Sequence, residues 1–199
     1  FVVATQVLAD TPDESYRGYG YLLDHLAMNG YTVLSLSLDD MNVQGFDNAW
    51  PGTSWAIDER ANVVNEVVRH LQANVDNLST GLGLAGRADY GDITLVGHSR
   101  GGEAVARSVF VGATGGTYGQ AVSIAPTDKL ARENPPGTLP RTTVDVPYYV
   151  LYGSHDGDVC EGSAFRLYDR ATGVKQLTFL HNANHNYFNE SWPRNNLNG

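Results

Sequence analysis

One six-residue segment combines the residue types that nucleophilic catalysis needs. It reads Gly97-His98-Ser99-Arg100-Gly101-Gly102, follows the apolar stretch 93–96 and precedes a run of small residues. This is the G-x-S-x-G pattern of a serine on a sharp turn between a strand and a helix. Glycines two residues before and after the serine let the helix pack close to the strand. The segment predicts a nucleophilic Ser99, with its Oγ above the sheet at the positive end of a helix.

A serine nucleophile needs a base to take its proton and an acid to orient that base, in the chain order serine, acid, histidine. Asp156 follows the apolar stretch 148–152, where an acid can hold an imidazole, and it is the favoured candidate. Asp158, two residues later, and Asp128, after the preceding apolar stretch, are the alternatives. An Asp-Gly-Asp stretch also suggests a cation site, although two carboxylates in one turn are more often a solvated loop.

The base is predicted from the last strand-like stretch, residues 175–180. His185 lies on the loop that follows it, where a general base reaches over Ser99, whereas His181 lies at the end of the stretch and is expected to be structural. The other histidines are expected to be surface or packing residues: His25, His70, His98 and His155.

The negative oxygen of a tetrahedral intermediate needs hydrogen-bond donors. The backbone N–H of Arg100, the residue after the nucleophile, is one predicted donor. The second is expected from the loop at residues 5–9 after the first strand, with Gln6 as the candidate.

Three tryptophans are candidates for the wall of a substrate pocket. Trp50 and Trp55 flank a long loop after the second strand, and Trp192 follows His185. Ordinary core or lid packing explains these rings equally well.

The elements that must position these residues alternate between strands and helices. Strands are predicted at the start of the chain and at 31–38, 93–97, 121–125, 148–152 and 175–180, from short apolar runs rich in Val, Ile, Leu, Thr and Tyr. Four helices are predicted. The first covers residues 19–26 and ends at Gly30; the second covers 58–75, the third begins directly after Ser99, and the fourth covers 164–171. Residues 126–146 are expected to form a long loop. The alternation predicts one α/β domain over residues 1–199, with a mostly parallel sheet of about six strands covered by helices on both faces.

Composition excludes several classes of protein. The chain has 199 residues and a formal net charge of −9, with only two lysines, Lys129 and Lys175, which argues against binding a nucleic-acid backbone. No apolar run approaches the roughly 18 to 20 residues of a membrane span. Cys160 is the single cysteine, so neither an internal disulfide nor a cysteine zinc cluster is expected.

The chain resembles the α/β-hydrolase serine esterases, and within them the bacterial dienelactone hydrolases and the secreted polyester-hydrolase (cutinase)-like enzymes. The resemblance rests on Tyr21-Leu22-Leu23-Asp24-His25-Leu26-Ala27, residues 30–35, the Ser99 motif, residues 153–159 and Ala183-Asn184-His185-Asn186. It implies the six-strand core of the fold without the family's first two strands and closing helix, and it favours secretion. Where the family has His-Gly after its first parallel strand, this chain has Thr5-Gln6-Val7.

These residues predict hydrolysis of carboxylic esters, small or polymeric, through an acyl-enzyme on Ser99, His185 and Asp156. Such a reaction needs no metal or organic cofactor. Two alternatives stay open: peptidase or amidase action by the same three residues, and a catalytically silent domain of this fold used for binding.

Overall fold

The computed structural model describes residues 2–4, 15–38, 41, 56–74, 88–112, 118–133, 141–159 and 162–192. The strands in these parts are β1 (Val2–Ala4), β2 (Leu34–Leu36), β3 (Ile93–His98), β4 (Tyr118–Ile124), β5 (Tyr148–Gly153) and β6 (Lys175–Leu180). The α-helices are α1 (Gly20–Met28), α2 (Ile57–Ala73), α3 (Arg100–Val111), α4 (Lys129–Glu133) and α5 (Ser163–Arg170). A 3₁₀ turn, Ser15–Tyr19, leads into α1, and another, His185–Phe188, follows β6.

The six strands form one sheet in the order β2-β1-β3-β4-β5-β6, and all neighbouring pairs are parallel. Val2 pairs with Leu34 of β2 on one side and with Leu95 of β3 on the other. The chain therefore moves outward from β1 to β2 and then builds the sheet in the opposite direction. Because such crossovers are right-handed, α1 covers one face and α2, α3 and α5 cover the other. This arrangement confirms the predicted α/β fold with a mostly parallel sheet.

Helix α2 shows how the apolar pattern produces the packing. Ile57, Ala61, Val64 and Val68 recur every three or four residues, and each is at most 2% exposed. This stripe lies against α3, where Ser108 Oγ donates a hydrogen bond of 3.3 Å to the backbone oxygen of Ala61. The predicted amphipathic helix is confirmed over the described residues.

Several predicted boundaries were wrong. Strand β4, expected over 121–125, runs from Tyr118 to Ile124. The stretch 126–146, expected as one long loop, contains the short helix α4. The strand expected over 31–38 is only Leu34–Leu36. The predicted helix-ending glycine is confirmed: Gly30 follows α1 with φ of +88°, a conformation that glycine adopts without strain.

In the described parts of the chain, every helix is too short or too polar to cross a lipid bilayer.

Candidate active site

Ser99 occupies a strained turn between β3 and α3. Its backbone has φ of 58° and ψ of −125°, a combination that costs a non-glycine residue about 1–3 kcal/mol. Hydrogen bonds on both sides hold the turn: Ser99 N–H donates to Ile124 O (2.9 Å), and Gly102 N–H donates to Ser99 O (2.9 Å). The strand, sharp turn and helix expected around this serine are all present.

Close packing explains the glycines of the motif. A Cβ on Gly97 would lie 2.1 Å from the backbone oxygen of Gly101, so β3 and α3 cannot accept a side chain there. Gly102 is less restricted, because its Cβ would lie 3.0 Å from Pro126 Cβ, a tight contact that a small shift could relieve. The contact between strand and helix that raises Ser99 above the sheet therefore depends on the absence of these side chains.

His185 and Asp156 meet in a buried pair. His185 Nδ1 lies 2.8 Å from Asp156 Oδ2, and the two side chains are 2% and 0% exposed. The other carboxylate oxygen, Asp156 Oδ1, accepts hydrogen bonds from the N–H groups of Asp158 (3.1 Å) and Val159 (2.8 Å). With both oxygens engaged, the carboxylate is fixed, and it holds the imidazole through Nδ1.

The two alternative acids have other surroundings. Asp158 Oδ2 lies 3.3 Å from Nε2 of His185, the nitrogen opposite to the one that Asp156 holds. Asp128 is buried at the end of β4, where Arg166 Nε (3.0 Å) and Arg170 Nη2 (2.5 Å) donate to its carboxylate. Asp128 therefore joins β4 to α5 and lies apart from the imidazole pair.

The ring of His98 joins the Ser99 turn to the loop that carries His185. The centroids of the His98 and His185 rings are 4.7 Å apart, and the Trp192 ring lies 5.0 Å from His98 and 6.3 Å from His185. His185 is thus stacked against the residue that immediately precedes Ser99. His185 Nε2 makes no hydrogen bond with any residue that the structure describes. Such bonds often form only when a substrate is bound.

The remaining predicted residues fall into three groups. Arg100 is buried and begins α3, as expected of a donor that follows the nucleophile. His25, His70 and His155 are exposed, and so is His181, which was expected to be structural. Gln6, Trp50 and Trp55 lie outside the described residues.

Two buried side chains near Ser99 have shifted pKa values. Burial, and then the neighbouring His185, lower the pKa of His98 well below its ordinary value, so this ring is neutral. Burial raises the pKa of Glu103 to about 7, against the opposing effect of hydrogen bonds from Thr127 and from the backbone of Lys129 and Leu130. No group of three or more His, Cys, Asp or Glu side chains in the described parts of the chain can hold a metal ion.

Sequence reasoning missed three residues of this region: Tyr19, Glu103 and Asn189. The sequence pattern placed Tyr19 in the apolar stripe of α1, yet its hydroxyl lies 2.7 Å from Nδ1 of His98, 79 positions away. No local signal reveals such a contact.

Comparison with known proteins supports the fold. No family model matches the chain, and no curated protein matches it either. Among solved structures, a predicted CIB-like hydrolase from Thermoplasma acidophilum is similar, with a TM-score of 0.56 and 13% identity over 96% of this chain and 79% of that one. MGS-MChE2, an α/β hydrolase enzyme from the metagenome of lagoon sediments at Mar Chica, Morocco, is also similar. Its TM-score is 0.54, with 15% identity over 92% of this chain and 81% of that one. The chain has the α/β-hydrolase fold. At these identities the likeness extends to the fold alone, and the narrower resemblance to dienelactone and polyester hydrolases stays a prediction.

Proposed function

We propose that this α/β-hydrolase-fold protein is a serine hydrolase that cleaves carboxylic esters. Ser99 Oγ attacks the ester carbonyl carbon while His185 Nε2 takes the hydroxyl proton. The resulting oxyanion lies toward the backbone N–H of Arg100 at the start of α3. Asp156 holds the imidazolium through Nδ1.

The same groups complete acylation and then carry out deacylation. Collapse of the tetrahedral intermediate breaks the bond to the alcohol oxygen, which receives the proton from His185 and leaves. Water then attacks the acyl-enzyme with His185 as base, the acid is released, and Ser99 regains its proton. In each of these steps His185 accepts or donates the proton.

The observation that carries the proposal is the buried pair of His185 and Asp156, packed against the residue next to a strained serine. Backbone strain of this kind persists where the surrounding structure enforces it, and it concentrates at functional sites. A carboxylate with no exposed surface is costly unless it is paired, and Asp156 is paired with an imidazole.

The proposed substrate class rests on the resemblance to known esterases and on the indole ring of Trp192. A small or polymeric ester fits the similarity to dienelactone and polyester hydrolases. Trp192, stacked on His185 at 6.3 Å, offers an apolar wall beside the base.

The test uses a fluorophosphonate probe, which reacts with activated serines, together with hydrolysis of p-nitrophenyl acetate and butyrate. We expect wild type to be labelled and active, and Ser99→Ala to lose both labelling and turnover. Circular dichroism on both proteins controls for folding. A folded wild type that is neither labelled nor active would falsify the proposal and favour the silent binding domain.

Ester and amide cleavage are distinguished in the same assay. We expect the p-nitroanilide of the same acyl group to react far more slowly than the p-nitrophenyl ester. Comparable rates on both would favour the peptidase or amidase alternative.

A further inference from the structure

Asn189, on the loop after His185, ties that loop through a buried hydrogen bond to the 3₁₀ turn Ser15–Tyr19, whose last residue contacts His98 beside Ser99. Its Nδ2 donates to the backbone oxygen of Ser15 (3.0 Å), and its Oδ1 accepts from the N–H of Ser191 (2.8 Å). These two partners define the orientation of the amide, because one is an acceptor and the other a donor. Asn189 is 1% exposed.

The next member is Tyr19, the last residue of that 3₁₀ turn. The Tyr19 oxygen lies 2.7 Å from His98 Nδ1, and neither residue has any exposed surface. Burial raises the pKa of Tyr19, so the hydroxyl keeps its proton. Among the described residues His98 Nδ1 is the acceptor within hydrogen-bond distance of this hydroxyl, and a buried hydroxyl proton without an acceptor is costly, so we take the hydroxyl to donate to Nδ1. The proton of the neutral His98 ring then resides on Nε2.

His98 is in turn the packing partner of the whole loop that carries the base. Three rings of that loop surround it, at centroid distances of 4.7 Å for His185, 5.0 Å for Trp192 and 5.9 Å for Phe188. Its position therefore sets the separation between Ser99 and His185.

We propose that Tyr19, His98 and Asn189 are positioning residues for the reaction. Together they hold the His98 ring, in one orientation and one tautomer, as the spacer between the nucleophile turn and His185. The inference rests on the proposed function, since it assigns these residues to the hydrolysis by Ser99 and His185. A neutral spacer also suits the chemistry, because a charged ring 4.7 Å away would repel the imidazolium that forms on His185.

The first test removes one oxygen atom. We expect Tyr19→Phe to lower kcat for p-nitrophenyl butyrate by about 10- to 100-fold with KM unchanged, since small displacements of catalytic groups cost rates of this size. Tyr118→Phe is the matched control. Its buried hydroxyl donates to Asn65 Oδ1, and Tyr118 lies beside Ile93 at the opposite end of the strands from Ser99. Both variants should lose stability, but only Tyr19→Phe should lose kcat.

The second test asks whether Tyr19 acts through His98. In the His98→Phe background the hydroxyl has lost its acceptor, so adding Tyr19→Phe should change kcat little further, and the double-mutant cycle should be non-additive. Additive losses would mean that Tyr19 acts by another route.

A third measurement, on the wild-type protein, needs no activity. Nitrogen-15 NMR of the histidine rings should show His98 neutral at about pH 7, with its proton on Nε2 and a pKa below the ordinary histidine value. A proton on Nδ1, a charged ring, or equal kcat for Tyr19→Phe and wild type would overturn this inference while leaving the hydrolase proposal intact. Absence of labelling in wild type would overturn both.

Discussion

Asp128, Asp156 and Asp158 carry the same type of side chain, yet their hydrogen-bond partners differ. Asp156 has both oxygens engaged and faces Nδ1 of His185, whereas Asp158 faces Nε2 at 3.3 Å. Asp128 pairs with two arginines of α5. An acid that orients a catalytic base must hold the nitrogen that does not receive the nucleophile's proton. In the proposed reaction, in which Nε2 receives that proton, Asp156 alone of the three would meet the requirement.

We expect Asp156→Asn to lower kcat by about four orders of magnitude, because the amide favours the wrong imidazole tautomer. Asp158→Asn, two residues away, should change kcat by less than about tenfold. Steady-state hydrolysis of p-nitrophenyl butyrate by the two variants provides the comparison. The reverse ranking would assign the acid to Asp158.

Glu103 has no exposed surface and sits one turn into the helix that Ser99 precedes. Its Oε2 accepts from Thr127 Oγ1 (2.6 Å) and Lys129 N–H (2.8 Å), and its Oε1 accepts from Leu130 N–H (2.9 Å). These bonds favour the ionised carboxylate, but burial opposes it more strongly and raises the pKa from 4.5 to about 7.

The raised pKa predicts a stability that depends on pH. The folded state binds the proton of Glu103 more tightly than the unfolded state does. The stabilisation that this tighter proton binding gives the folded state is therefore fully present below about pH 4.5 and is lost as the pH rises through about 7. Over that range we expect wild type to lose about 3 kcal/mol of unfolding free energy relative to Glu103→Gln. Urea unfolding of both proteins at the two pH values measures the difference, and parallel pH dependence would contradict the prediction.

At the scale of the elements, the 3₁₀ turn Ser15–Tyr19 is in direct contact with the loop after β6. Glu190 N–H donates to Gly18 O (2.9 Å), and Tyr21 Oη donates to Phe188 O (3.0 Å). A Cβ on Gly18 would lie 1.7 Å from Asn189 Oδ1, so the two elements touch with no room for a side chain. The loop that carries His185 is thus fitted onto the segment before α1.

This contact predicts opposite effects at two neighbouring glycines. Gly18→Ala must displace Asn189 from its hydrogen bonds, and we expect a loss of about 2 kcal/mol in stability together with a lower kcat. At Gly20 a Cβ meets nothing within 4 Å, and Gly20→Ala should stabilise the protein by about 0.4–1 kcal/mol with kcat unchanged. Urea unfolding and ester hydrolysis on both variants test the pair. Equal effects at the two positions would argue against the fitted contact.

The elements that the sequence predicts well are those whose signals are local. Strand β6 has the predicted bounds, Lys175–Leu180, because its apolar run ends at turn residues. Helix α4 was missed because the first backbone N–H groups of that helix bond to Glu103, 26 and 27 positions earlier in the chain. The length of β2 was overestimated, because the apolar run 31–38 is longer than the strand Leu34–Leu36.

The same distinction applies to the site. The Ser99 turn follows from a local pattern of glycines, and chain order suggested His185 and Asp156. The positions of Tyr19 and Asn189 depend on partners far along the chain, so no local pattern reveals them.

At the scale of the whole molecule, the strand order explains where the site lies. The order reverses between β1 and β3, and Ser99 follows the carboxyl end of β3. Crevices at such reversals are where open α/β sheets bind their ligands. The acidic composition, with a net charge of −9, fits a neutral ester better than a polyanion.

The contact between Asn189 and Ser15, 174 positions apart, also bears on how the protein folds. Contacts this distant along a chain form slowly, because a long loop must close before they are gained. Strands β3 to β6 are neighbours in sequence order, and we expect them to pair before the contact between Asn189 and Ser15 forms. During refolding, the protein should therefore acquire most of its sheet before it acquires its activity.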